Sequence, residues 1–208
     1  MPQAEPQVSI GESRNRPGRA IPADQARQLL DSIDVTELSG LRDRALIGVM
    51  VYSFARVSAA ATLRVEDYFE NGKRAWLRLH EKGGKRHEVP CHHNLATYLD
   101  AWINVAGIAA EKKGPLFRAI RKGNKLTENP MAREDVLAMI KRRAKAAALP
   151  YSTAVTHFAR QVSRPTCQNG GTLEHAQQIA AHESPRTTKL YDRTDDQISL
   201  DEVERIRI

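Results

Sequence analysis

The fold class is decided by residues 75–90, AWLRLHEKGGKRHEVP. In the first half, Ala75, Leu77 and Leu79 fall on one face of an extended strand. Trp76, Arg78 and His80 fall on the other face. A Gly-Gly turn follows, and a second short run ends at Pro90. The pattern predicts an antiparallel β-hairpin in the first half of the chain.

Helical patterns lie on both sides of this hairpin. The first opens at Pro22 and has an apolar face made of Ala26, Leu29, Leu30 and Ile33. The second, LRDRALIGVMVYSFA at 41–55, is apolar nearly all round and predicts a central core helix. Further helices are predicted at 92–105, 130–148, 172–181 and 184–191, with a short irregular connection at 114–119. The sequence therefore predicts an α+β fold, mainly α-helical, with a small antiparallel sheet near residues 74–90.

Composition favours a soluble intracellular protein with an anionic partner. The chain has 208 residues, of which 41% are hydrophobic and 27% charged, and this balance is globular. A formal net charge of +7 favours a nucleic acid without identifying one. Cys91 and Cys167 show neither disulfide nor zinc spacing and suit a reducing cytoplasm. No apolar run is long enough for a membrane span, so no membrane partner is expected.

Two parts of the chain differ from the rest in composition. Residues 1–20 are polar and contain three prolines, so they predict a flexible arm or linker remnant ahead of one domain at 21–208. Residues 112–145 are dense in lysine and arginine, including KRRAK at 141–145 on a predicted helix. A solvated helix face and a phosphate-tracking surface both account for this density.

Cleaving a phosphodiester without a metal requires three kinds of side chain. A nucleophile must attack phosphorus, cationic donors must bind the non-bridging oxygens, and an acid must protonate the departing oxygen. Arginine suits the second role because its planar guanidinium bonds two phosphate oxygens, and a lysine among cations suits the third. Candidates occur in the order Arg56, Lys82, His157, Arg160, His182 and Tyr191. Taken singly, each also suits an ordinary structural place, such as a buried salt bridge, a turn or a helix cap.

The ordered set resembles the catalytic domain of the tyrosine recombinases, or phage integrase family, over residues 21 to about 195. It is carried by ARVSAAATLRVEDY at 55–68, HEKGGKRHEVP at 80–90 and NGGTLEHAQQIAAHESPRTTKLYDR at 169–193. The resemblance implies that Tyr191 attacks the scissile phosphate, giving a 3′-phosphotyrosyl link and a free 5′-hydroxyl, with Lys82 as general acid. The other four residues would bind the phosphate or assist by proton transfer and hydrogen bonding: Arg56, Arg160, His157 and His182.

The resemblance also implies the partners and the setting. The expected partner is double-stranded DNA, with four protomers acting together as a homotetramer and no metal, cofactor or ATP. The expected function is site-specific recombination or integration for a mobile element, in the bacterial cytoplasm on the nucleoid. The separate N-terminal core-binding domain of the family is expected to be absent. A C-terminal segment with Ile198, Val203, Ile206 and Ile208 suits either docking on a neighbouring protomer or packing on its own domain.

Residues 155–171, VTHFARQVSRPTCQNGG, depart from the family pattern. The pair His157 and Arg160 stands one residue too close to the glycines, and Pro165 falls where the helix should continue. Back-translation of residues 155–167 with permitted codons reads HTFRATGITAYL in another frame, so we hypothesise two compensating frame shifts, which the coding DNA would reveal. An altered 154–168 segment would impair cleavage. The alternatives are a non-catalytic DNA-binding remnant of an integrase and a DNA-relaxing enzyme similar to type IB topoisomerases.

Overall fold

A computed structural model of the chain describes residues 23–80 and 86–149 together with Val203. Five α-helices and five β-strands lie within these ranges. In chain order they are α1 (Ala23–Asp31), α2 (Leu38–Ser53), α3 (Val57–Ala61), β1 (Tyr68–Asn71), β2 (Arg74–His80), β3 (Arg86–Pro90), α4 (His93–Ala106), β4 (Arg118–Arg121), β5 (Lys125–Pro130) and α5 (Arg133–Ala146). A short 3-10 turn at Val65–Asp67 leads into β1. The α+β class with a large helical share is confirmed.

α2 is the central helix, as its apolar composition predicts. Eleven of its sixteen residues are buried, and α1, α4 and α5 pack around it. Gly48 lies where α4 approaches, because a Cβ at this position would lie 3.1 Å from Cδ2 of Tyr98. The helix runs from Leu38 to Ser53, whereas the sequence predicted 41–55. The difference at its C-terminal end comes from Phe54, which breaks the helix by adopting a left-handed conformation.

The predicted hairpin is the centre of a three-stranded antiparallel sheet in the order β1-β2-β3. Leu77 and Leu79 of β2 point into the core, as the alternation predicts, and Leu77 pairs with Val89 of β3. β1 pairs with the other edge of β2. Sequence patterning missed β1 because YFEN is short and only half-buried, so it lacks an apolar alternation.

A second hairpin corrects two predictions. β4 begins at Arg118, inside the segment 114–119 that the sequence predicted as an irregular connection, and pairs antiparallel with β5, while α5 begins at Arg133 instead of residue 130. Apart from the buried Arg118, their residues are half-buried or exposed and several are charged, so they carry no clear apolar alternation. Their turn contains Gly123 and Asn124, both at positive φ (84° and 57°), which is the backbone geometry that a tight hairpin turn demands. The Gly-Asn pair at 123–124 is the sequence feature that could have predicted this turn.

Buried charges join the helices to the second hairpin. The Asp43 carboxylate, fully buried on α2, binds arginines from two helices, at 2.6 Å from Arg42, 3.4 Å from Arg142 and 2.8 Å from Arg143. Arg42 also donates to the carbonyl oxygen of Arg118 at the start of β4, at 3.0 Å. The network fixes α5 and β4 against the N-terminal half of α2.

Val203 lies in the core of this chain, 1% exposed. The sequence suits two arrangements of the C-terminal segment, docking on a neighbouring protomer or packing on its own domain. Val203 packs on its own domain. No helix within the described ranges is long and apolar enough to cross a membrane. The helices predicted at 172–181 and 184–191 lie outside the described residues, as does the arm at 1–20.

Candidate active site

Arg56 lies at the corner between α2 and α3. Phe54 ends α2 in the left-handed region (φ 56°, ψ 20°), and Arg56 is the N-cap of α3 with extended backbone (φ −65°, ψ 152°). A side chain in the left-handed region costs about 1–2 kcal/mol because Cβ crowds the following carbonyl. The ring of Phe54 packs against the core, which offsets that cost. The corner therefore holds the half-buried Arg56 between buried Ala55 and Val57.

Stacked aromatic rings connect this corner to the end of the first hairpin. The Tyr52 ring stacks on His92 with centroids 4.4 Å apart, and His92 stacks on His93 at 4.2 Å. His92 caps α4 because its Nδ1 accepts from the backbone N–H of Asn94 at 3.1 Å, and the Asn94 side chain donates to Tyr52 Oη at 3.2 Å. α4 starts three residues after β3 ends at Pro90, so these contacts join that end of the hairpin to the end of α2 that precedes Arg56.

Two of the described tyrosines are unsuited to act as nucleophiles. Burial raises the pKa of Tyr52 to about 12. Burial, with a hydrogen bond to Asp100, raises the pKa of Tyr68 still further above its ordinary value. A phenol attacks phosphorus more readily when its proton is easily removed, and these environments oppose that loss. Tyr98 lies under the Arg44 guanidinium, which is 4.6 Å from its ring centroid.

The strand that leads to Lys82 is anchored at its last described residue. Nε2 of His80, at the end of β2, lies 3.0 Å from Oδ1 of Asp67. The other carboxylate oxygen of Asp67 accepts from the backbone N–H of Arg64 at 2.9 Å, and Asp67 is 2% exposed. Sequence reasoning placed His80 on the outer strand face and did not recognise this pair. The sequence feature that could have drawn attention to the His80–Asp67 pair was a histidine two residues before the hairpin lysine.

The basic side chains of residues 112–145 fall into two groups, those that bind carboxylates of the protein and those that are exposed to solvent. Arg143 is turned inward onto Asp43, with its side chain 20% exposed, whereas Arg142 reaches the same carboxylate while remaining 63% exposed. Arg118 is buried and binds the exposed Glu111 carboxylate through both oxygens, which holds the Glu111 pKa below its ordinary value. Other basic side chains of the segment stay exposed to solvent: Lys112, Lys113, Arg121, Lys122, Lys125, Arg133, Lys141 and Lys145. These side chains form the positive surface of the described region.

Of the six predicted site residues, Arg56 lies within the described ranges. The other five lie outside them: Lys82, His157, Arg160, His182 and Tyr191. The altered 154–168 segment also lies outside the described residues. Within the described ranges no group of three or more His, Cys, Asp or Glu side chains could hold a metal ion.

The sequence profile of the phage integrase family matches residues 19–197, and the chain belongs to this family. It is similar to tyrosine recombinase XerC of Salmonella typhi, with 23% identity over 200 residues, covering 90% of this chain and 64% of that protein. It is also similar to tyrosine recombinase XerD of Xanthomonas axonopodis pv. citri (strain 306), with 27% identity over 183 residues, covering 83% of this chain and 57% of that protein. The chain thus spans less than two thirds of these relatives.

Solved structures share the fold. XerA recombinase superposes with a TM-score of 0.65 at 20% identity, covering 90% of this chain and 63% of that one. The XerH site-specific recombinase, in a post-cleavage complex with palindromic difH substrate, gives a TM-score of 0.64 at 20% identity, covering 82% of this chain and 48% of that one. The described helices and sheets therefore have the fold that these recombinases share.

Proposed function

We propose that the chain is the catalytic part of a site-specific DNA recombinase or integrase. In this reaction Tyr191 Oη forms a bond to phosphorus and the bond from phosphorus to the 5′ oxygen breaks. The phenol's proton passes to an imidazole, that of His157 or His182, and Lys82 gives a proton to the leaving oxygen. Arg56 and Arg160 neutralise the phosphate in the transition state. The phosphotyrosyl link keeps the bond energy, so rejoining needs neither metal nor ATP.

The observation that carries this proposal is the family match over residues 19–197, because it spans all six side chains. Two features of the described residues support it. The α2–α3 corner presents an arginine where an apolar helix ends, and burial raises the pKa of Tyr52 and of Tyr68, which makes these two phenols poor nucleophiles. The net charge of +7 suits a phosphate backbone as partner.

The proposal extends to organisation and setting. Residues 21–208 would form the catalytic domain, preceded by an arm or linker remnant at 1–20. Double-stranded DNA is the partner, on which four copies would assemble. XerH was solved bound to palindromic difH substrate, and binding to a DNA duplex is likewise proposed for this chain. We place the reaction on nucleoid DNA in a bacterial cytoplasm.

Covalent trapping tests the proposal. The protein is incubated with a nicked duplex carrying the cognate site, so that the short 5′-hydroxyl strand diffuses away after cleavage and the reaction cannot reverse. We expect a protein–DNA adduct that survives denaturing electrophoresis and is absent in Tyr191→Phe, which removes only the nucleophilic oxygen. An adduct that persists in Tyr191→Phe contradicts the assignment of the nucleophile.

The second candidate is a non-catalytic DNA-binding remnant, favoured by Pro165 and the altered spacing of His157 and Arg160. In that case the same duplex is retained in a gel-shift assay while no adduct forms. A variant in which the twelve residues HTFRATGITAYL replace the thirteen residues 155–167 distinguishes an impaired enzyme from a remnant. Recovery of the adduct indicates an impaired recombinase, and continued absence favours the remnant.

A further inference from the structure

We propose that the turn between β4 and β5 is a second phosphate-binding site for duplex DNA, separate from the site of the reacting phosphate. The site consists of Arg121, Lys122 and Lys125, which lie within five consecutive residues. The inference rests on the proposed function for its ligand, because that function supplies the DNA backbone that the turn binds. The turn holds the duplex and takes no part in the chemical step.

Two of these cations face each other directly across the hairpin. Arg121 is the register partner of Lys125, and the neighbouring Ile120 is the register partner of Leu126. Directly opposed residues of an antiparallel pair project from the same face, with their Cβ atoms about 5 Å apart. Ile120 and Leu126 pack against the core. Because successive side chains alternate between faces, Arg121 and Lys125 lie on the outer face, and both are exposed.

The protein does not balance these like charges. In the part of the chain that the structure describes, none of Arg121, Lys122 and Lys125 forms an ion pair with a carboxylate. The first sheet differs at the equivalent kind of position, because Arg78 is in register with Glu88 and its Nε lies 2.8 Å from the carboxylate. Like charges directly opposite each other destabilise a strand pair. A phosphate bound between them removes the repulsion, since its oxygens accept charge-assisted hydrogen bonds from both side chains.

The turn lies at the opposite end of α2 from Arg56. The Asn124 side chain donates to the carboxylate of Glu37, which is the N-cap of α2, whereas Arg56 follows the C-terminal end of the same helix. The sixteen residues of α2 span about 24 Å at 1.5 Å per residue. This distance exceeds the combined reach of two long side chains. The turn and Arg56 therefore bind different phosphates of one duplex.

Fluorescence anisotropy of the full chain with labelled duplexes, over a range of salt concentrations, tests the inference. One duplex carries the cognate site and the other an unrelated sequence. Arg121→Gln/Lys125→Gln removes both opposed charges, and Lys125→Glu turns the like-charge pair into an opposite-charge pair. The matched control, Arg27→Gln/Lys73→Gln, removes the same number of charges from exposed positions on α1 and in the β1–β2 turn. Thermal unfolding is measured for each protein.

We expect the Arg121→Gln/Lys125→Gln protein to bind roughly one to two orders of magnitude more weakly at about 0.1 M salt. The slope of the logarithm of the binding constant against the logarithm of salt concentration should become shallower by about 1.8, the counterion release of two phosphate contacts. The loss should be equal on both duplexes, because phosphate contacts carry no base information. Lys125→Glu should weaken binding yet unfold at or above the wild-type temperature, because it removes the repulsion.

An unchanged salt slope in Arg121→Gln/Lys125→Gln, or an equal change in the control, overturns the inference and leaves these charges as solvation of exposed strand edges. Wild-type protein that binds neither duplex overturns it as well. Covalent trapping on the nicked duplex reports separately on the proposed function. A wild-type protein that forms no adduct, but whose DNA binding is weakened as expected in Arg121→Gln/Lys125→Gln, contradicts catalysis and supports the phosphate site at the turn.

Discussion

Asp43 shows how one side chain can hold two helices and a strand. A buried carboxylate is unfavourable unless cations and hydrogen bonds replace its water. The guanidinium groups of Arg42 and Arg143 lie 2.6 and 2.8 Å from the Asp43 carboxylate. Arg42 also donates a hydrogen bond to the Arg118 carbonyl oxygen at the start of β4. Removing the carboxylate leaves arginine charges partly buried without their anion.

We expect Asp43→Ala to lower the free energy of unfolding by about 3–5 kcal/mol, the range for breaking a buried ion pair. Urea denaturation followed by circular dichroism measures the change. Glu66→Ala is the control, because its pair with Arg64 spans 3.7 Å and both side chains are well exposed (40% and 58%). The control should change stability by less than about 1 kcal/mol. Similar losses in both variants would show that the buried network contributes no more than a surface pair.

Arg56 follows a long apolar run in the sequence, and in the structure it lies at a corner that is set by a left-handed phenylalanine. The sequence could not show that Phe54 would take this conformation, because phenylalanine rarely does. The catalytic role of Arg56 remains a prediction.

At the scale of elements, the start of α2 depends on a close approach that only glycine allows. A Cβ at Gly40 would lie 1.6 Å from the carbonyl oxygen of Asp34, in the α1–α2 turn. That turn is fixed by Asp34, whose side chain accepts from the Thr36 backbone N–H at 2.9 Å and from its hydroxyl at 2.7 Å. These bonds stabilise the turn in its own shape, so a Cβ at Gly40 could be accommodated only by a shift of the turn as a whole.

We expect Gly40→Ala to destabilise the protein by about 1–3 kcal/mol, as overpacking does. In an open helix the same change would stabilise by roughly 1 kcal/mol. Thermal and urea unfolding show whether the substitution lowers or raises the free energy of unfolding. Ser39→Ala, one residue earlier on the same helix, serves as the control and should change stability only slightly. A stabilised Gly40→Ala protein would mean that the 34–36 turn yields readily.

For the whole molecule, the positive surface predicts how DNA binding responds to salt. Each phosphate contact made by lysine or arginine releases counterions, so the logarithm of the binding constant should fall linearly with the logarithm of salt concentration. With about six contacts, affinity for a duplex should fall roughly a thousandfold between 50 and 200 mM salt. Fluorescence anisotropy measures it. A binding constant that stays level over this range would contradict a phosphate-binding role.

The sequence by itself determined the α+β class, the central helix and the first hairpin, because their apolar periodicities are strong and local. It also determined family membership, through short motifs whose residue types follow from phosphate chemistry. Only the tertiary structure decided the second hairpin, the Asp43 network and the His80–Asp67 bond. The Asp43 network depends on partners far apart in the chain, since Asp43 lies about a hundred residues before Arg143, and no local pattern encodes such a pairing. The second hairpin is local, but its short strands lack a clear apolar alternation. Periodicity specifies which face is buried, whereas packing decides which polar groups meet there.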